Sequence, residues 1–109
     1  MRAYKHPDLD DVVLEDVFHA LSDPVRLGIV LQLAHRGDCS CAALDGGRPK
    51  STLSHHFRVL REAGLVQTRI EGVVHMNTLR RRELDLRFPG LMEAVLRPAE
   101  RMPRHAKAG

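Results

Sequence analysis

The chain has 109 residues, 43% of them hydrophobic, which is enough for one modest core and excludes a second, catalytic domain. Seventeen Lys and Arg against fourteen Asp and Glu give a formal charge of +3 and a pI near 9.3, a balance that tilts partners towards anions without demanding nucleic acid. No apolar run approaches the ~20 residues of a membrane span, and the start, MRAYKHPDLDD, lacks the apolar stretch of a signal peptide, so the chain reads as cytoplasmic with no membrane partner.

In chain order, residues 1–8 read as an N-terminal arm. From Asp8 to Leu21 the positions Leu9, Val12, Val13, Val17, Phe18 and Leu21 recur at helical steps and predict a first amphipathic helix. Ser22-Asp23-Pro24 supplies a capping side chain and a proline for a first helical turn. Val25, Leu27, Ile29, Val30, Leu31 and Leu33 then carry a second helix, apolar on several sides and hence central, to Gly37. Asp38 predicts the cap of a short third helix, CSCAAL, stopped by Gly46-Gly47. Pro49 fits the first turn of a fourth helix that runs to Ala63, with Gly64 as its stop. Two helices joined by a tight, Gly-containing turn form the helix-turn-helix signature. The period then changes: LVQTRI and VVHMNTL suit strands, and Glu71-Gly72 suits the turn between them. RRRELDLRF is ambiguous. Pro89 opens a last helix, PGLMEAVLRPAERM, that Pro98 should end or kink, and residues 99–109 read as a flexible tail.

On the fourth helix Leu53, Phe57 and Leu60 share one face, which turns Lys50, Ser51, Ser54, His55, Arg58 and Arg61 to solvent. Outward Lys and Arg neutralise phosphates, and short or mobile polar side chains near a helix N-terminus reach base edges in a major groove. A solvated basic helix is the bland alternative. His56 lies at the edge of the core and reads as structural, hydrogen-bonded within the fold.

The stretch "ALSDPVRLGIVLQL", the helix-turn-helix, "STLSHHFRVLREAGLV" and "EGVVHMNTL" together resemble the ArsR/SmtB family of bacterial winged-helix repressors, over about residues 10 to 96. The resemblance implies a mainly α winged helix-turn-helix with a two-stranded hairpin wing, in the order ααααββα, as a DNA-binding and dimerisation domain over 9–98. It also implies a homodimer joined through the first and last helices, bound to double-stranded operator DNA as a repressor released by an inducer. By position, Lys50, Ser51, Thr52, Ser54 and His55 correspond to the base-reading stretch, Arg58 and Arg61 to phosphate contacts, and Arg69 flanks the wing tip. Val12, Val13, Leu91, Met92, Val95 and Leu96 offer more apolar surface than such a helix pair can hide in one small subunit, and so mark the dimer seam.

Cys39 and Cys41 fall where thiolate-ligating members of this family carry a Cys-x-Cys metal or metalloid site. Thiolates favour soft ions such as Zn(II), Cu(I) or As(III), and a helix N-terminus lowers a thiol's pKa. Residues i and i+2 nevertheless diverge on an ideal helix. Leu44 stands where arsenic-type members offer a third cysteine, so His6 or Asp8 of a partner's arm is the third-ligand candidate. A thiol redox switch and a packing role for both cysteines stay open beside ligation. Nickel or cobalt through His6, His19, His35 or His105 is a further option, without a His-x-x-His pair to support it. A dithiol enzyme lacks the usual Cys-x-x-Cys context, and a winged helix that docks only proteins has no need of so polar and cationic an outer face. The reading is of a regulator, not an enzyme.

Overall fold

The computed structural model describes residues 3–102, so the tail from 103 onward, His105 included, lies outside the described residues. These residues form five α-helices and a three-stranded antiparallel sheet: α1 Leu14–Leu21, α2 Pro24–Arg36, β1 Cys39–Ser40, α3 Lys50–Glu62, β2 Val66–Glu71, β3 Val74–Leu79, α4 Arg81–Arg87 and α5 Leu91–Glu100. The sheet order is β1-β3-β2, which leaves β2 at an edge. No helix of the described residues is long and apolar enough to cross a membrane.

Helix α2 starts where the sequence signals it. The Asp23 carboxylate accepts from the backbone N–H of Val25 at 2.8 Å and of Arg26 at 3.2 Å, and Pro24 takes the first helical position, where a missing N–H costs nothing. Ile29, Val30, Leu31 and Leu33 are buried along it, and Val17, Leu44, Leu60, Leu65, Val66, Leu84 and Met92 complete the core around it.

Three expectations are corrected, and one open segment takes a form. The first helix is broken: Leu9–Asp11 form a single 3-10 turn, and Val12 and Val13 are extended before α1 begins. The Val12 carbonyl accepts from Arg87 Nε at 3.1 Å instead of from a helical N–H. CSCAAL is not a helix. Gly37, at φ 82, ends α2, and the Asp38 carboxylate turns to Arg69 rather than capping a turn. Cys39 and Ser40 pair with Asn77 and Met76 of β3, and only Ala42–Leu44 coil into a 3-10 turn. The wing hairpin therefore gains a third strand. The ambiguous RRRELDLRF segment forms α4, with Leu84 fully buried. Finally, Pro98 lies inside α5 rather than ending it, and the helix runs on to Glu100.

Gly64 turns the chain from α3 into β2 at φ 88, a conformation strained for any side chain, and a Cβ there would collide with a Val12 methyl. Gly64→Ala should therefore cost about 2 kcal/mol or more. Urea denaturation checks this; a variant as stable as the parent would mean that the Val12 segment yields freely.

Candidate nucleic-acid interface

Helix α3 is anchored by Leu53, His56, Phe57 and Leu60, all buried. Lys50, Ser51, Thr52, Ser54, His55 and Arg58 are all exposed, on the opposite face. The first turn holds no acidic residue, so the partial positive charge of the helix N-terminus, with Lys50 on it, is open to an anion.

Arg26, from the Asp-Pro-x-Arg segment, fixes how this helix sits. Its guanidinium is buried and donates to Ala20 O at 2.7 Å, to His19 O at 3.3 Å and to His56 Nδ1 at 3.2 Å, tying the C-terminal end of α1 to α2 and α3 in one cluster. His56 is structural, as its position on the helix suggested. Since arginine only donates, Nδ1 must be the unprotonated nitrogen. Burial holds the His56 pKa below 6.5, and the Arg26 cation adds to this against the pull of Asp23. His6 is lowered as well, by burial first and then by Arg80 and Arg61, with Glu83 opposing.

Both shifts have the same sign in linkage. A histidine whose folded pKa lies below its unfolded value leaves the unfolded chain to take up protons first as pH falls, so stability is complete above about 6.5 and declines below it. Urea midpoints measured from about pH 8 to about pH 5 should fall, and His56→Gln should flatten part of the slope. A pH-independent midpoint would contradict the placement of both rings.

Two arginines assigned to DNA are engaged within the fold. Arg61 is half-buried, with its guanidinium 4.2 Å from the Tyr4 ring centroid and Nη1 3.4 Å from Thr68 Oγ1. Arg69 donates to Asp38 at 2.9 Å, to Glu71 and to Thr78, so two carboxylates already face its charge. At the wing tip itself stand Gly72 and Val73, the latter 95% exposed. The sequence marks residues 1–8 as an arm but not that the arm covers Arg61: Tyr4 OH is hydrogen-bonded to His75 Nδ1 at 2.7 Å, His6 Nε2 accepts the Thr68 N–H at 2.9 Å, and Pro7 O accepts from Arg80 at 2.8 Å. Nothing in the periodicity of residues 1–8 signals these contacts, which span more than sixty positions.

The assigned ligand set is not assembled in one chain. Cys39 is buried and donates its S–H to Gly37 O at 3.4 Å, Cys41 is half-buried, and the lone pair of His6 Nε2 is taken by Thr68. Among the described residues no group of three His, Cys, Asp or Glu is placed to hold a metal ion. The seam residues divide too. Val12, Met92 and Leu96 are buried inside the subunit, because α5 packs on α2 and α4 and Val12 packs on Gly64, whereas Val13 is exposed and Leu91 and Val95 are half-buried.

A family model described as a helix-turn-helix domain matches residues 21–69, from the end of α1 into β2. The chain is 36% identical over 89 residues to the uncharacterised HTH-type transcriptional regulator YceK of Bacillus subtilis, a match covering 79% of this chain and 89% of that one. It is 45% identical over 60 residues to the arsenical resistance operon repressor of Escherichia coli, covering 51% of this chain and 50% of that one. A crystal structure of a possible transcriptional regulator for arsenical resistance superposes with a TM-score of 0.59 at 30% identity, covering 75% of this chain and 84% of that chain. The chain belongs to the ArsR family. Its winged helix-turn-helix is the fold of ArsR-type DNA-binding transcriptional regulators, not of enzymes. In ArsR terms α3 stands at the position of the recognition helix and the β2–β3 hairpin at that of the wing.

Proposed function

We propose that this ArsR-family chain is a homodimeric, operator-binding repressor that inserts α3 into the major groove and is released by an effector bonding to cysteine sulfur. The observation that carries the DNA reading is the exposed face of α3: Lys50, Ser51, Thr52, Ser54 and His55 on the first two turns and Arg58 beyond them, with no acidic side chain in the first turn. Base edges are read by the first five, and Arg58 takes a phosphate. A gel-shift assay with the DNA upstream of the chain's own gene tests it; retention of that fragment no stronger than of unrelated DNA would defeat it.

Salt dependence separates the three arginines. Arg58→Ala should make the slope of log affinity against log salt shallower by about one unit, since a full phosphate contact releases about 0.9 counterion. Arg61→Ala and Arg69→Ala should change it by clearly less, because Tyr4 and Thr68 hold the first and Asp38 and Glu71 the second. Equal changes for all three would mean that DNA strips those partners away.

Homodimerisation is supported by an apolar face left uncovered in the single chain. Phe18, Leu14 and Val13 on and just before α1 are 52%, 38% and 37% exposed. Leu91 and Val95 extend the proposal to α5. The effector reading rests on the two cysteines and on relatives named as arsenical resistance operon repressors in Escherichia coli and Staphylococcus xylosus. Arsenite and small disulfides share one chemistry, bond formation to a thiolate sulfur. Cys41 is the less buried of the two cysteines; an ion of three or four ligands needs donors beyond those that the described residues of one chain bring together, as a partner subunit would supply. Operator release by arsenite alone, by a disulfide alone, or by both tells the sources apart.

A further inference from the structure

A polar rung crosses the inner face of the sheet. Asn77, wholly buried on β3, donates from Nδ2 to Cys39 O at 3.2 Å and to Cys41 Sγ at 3.3 Å. Its Oδ1 accepts from Thr68 Oγ1 at 2.7 Å, and Thr68, 2% exposed, in turn accepts from Arg61 Nη1 on the last turn of α3. Asn77 and Thr68 face one another in register across β2 and β3, which brings their side chains together. No buried side-chain N or O of the described residues lacks a partner, so each nitrogen and oxygen of the buried rung is hydrogen-bonded.

We propose that Asn77 and Thr68 are positioning residues that carry the state of the Cys41 sulfur to the recognition helix. This rests on the effector reading above. A group bonded to Sγ occupies the space of the Asn77 amide N–H and takes electron density from the sulfur that accepts it. The carboxamide is planar, so a turn that frees Nδ2 also swings Oδ1 away from the Thr68 hydroxyl. Asn77 and Thr68 are both buried, so a partner lost between them is regained only by movement of neighbouring groups. Thr68 then releases Arg61, a side chain that bonds the last turn of α3 to the sheet.

The test uses the full chain and methyl methanethiosulfonate. The Cys41 thiolate attacks the sulfenyl sulfur, an S–S bond to a methylthio group forms, the S–SO2 bond breaks and methanesulfinate leaves. Adducts are counted by mass, operator affinity is measured before and after, and Cys41→Ser reports any reaction at Cys39. In the parent the adduct should lower operator affinity about tenfold. Thr68→Val keeps the shape of the side chain but breaks the rung, and should take the same adduct with a loss of less than about twofold; Thr68→Ser, which keeps the hydroxyl, should restore the tenfold loss. A Thr68→Val protein that is modified and still loses about tenfold overturns the relay while leaving the thiol reading standing. A parent that is modified at Cys41 with no change in affinity overturns both. Arg61→Met, which cuts the rung at its surface end, serves equally if Thr68→Val does not fold.

Discussion

Replacing Lys50 and His55 together by alanine will weaken operator binding roughly a hundredfold, because a good base-edge contact is worth about 1–3 kcal/mol and two are removed. Both side chains are exposed on α3, so the fold and its thermal transition should be unchanged. The specific component should fall much more than the non-specific one, since the phosphate term of Arg58 and of the helix N-terminus is retained. Competition between the upstream fragment and a scrambled duplex of equal length, at one fixed salt concentration, gives the ratio that matters. If affinity drops equally for both duplexes, α3 touches only the backbone and its N-terminal turns do not read sequence. If nothing changes, another face of the protein meets DNA.

Helix α3 was legible in the sequence because its determinants are local. Pro49 and Gly64 bound α3 within a residue or two, Asp23 and Pro24 start α2, and the spacing of Leu53, Phe57 and Leu60 alone turns the polar face outward. The segment CSCAAL misled for the opposite reason. Its helix signals are weak, and what decides its conformation is β3, through the pairing of Cys39 with Asn77, thirty-eight positions away, and through an amide bonded to its backbone. The placement of Arg61 beneath Tyr4 is likewise a non-local fact. One clue to the sheet was present: Asn77 stands at an inward position of β3, and a buried amide there implies polar partners on the strands beside it. Helical periodicity also found the apolar stripes of α1 and α5 without saying which neighbour covers them. Val12, Met92 and Leu96 meet their own subunit, and the uncovered surface moved to Phe18 and Leu14.

That shift determines which substitution tests the dimer cleanly. Changing Met92 or Leu96, at 0% and 4% exposure, would unfold the subunit and say nothing of assembly. Phe18→Glu removes an aromatic ring that is 52% exposed in the single chain, so the monomer should retain its fold and its helical circular dichroism. In a two-fold seam the new carboxylate appears twice, once from each subunit, and each copy is buried without a partner at a cost of several kcal/mol. The loss of apolar contact adds about 25 cal/mol for each Å² no longer covered. Val95→Glu, on the half-buried face of α5, should act in the same direction if both helices line the seam. Sedimentation at micromolar concentration should then show monomers. Operator affinity should fall by at least about a hundredfold, because a monomer carries one α3 and loses the effective-concentration gain of engaging two half-sites at once. Phe18→Leu, apolar and smaller, should stay dimeric and bind operator nearly as the parent does. A Phe18→Glu protein that sediments as an intact dimer places the seam elsewhere, while one that is monomeric yet binds operator undiminished shows that a single α3 is enough.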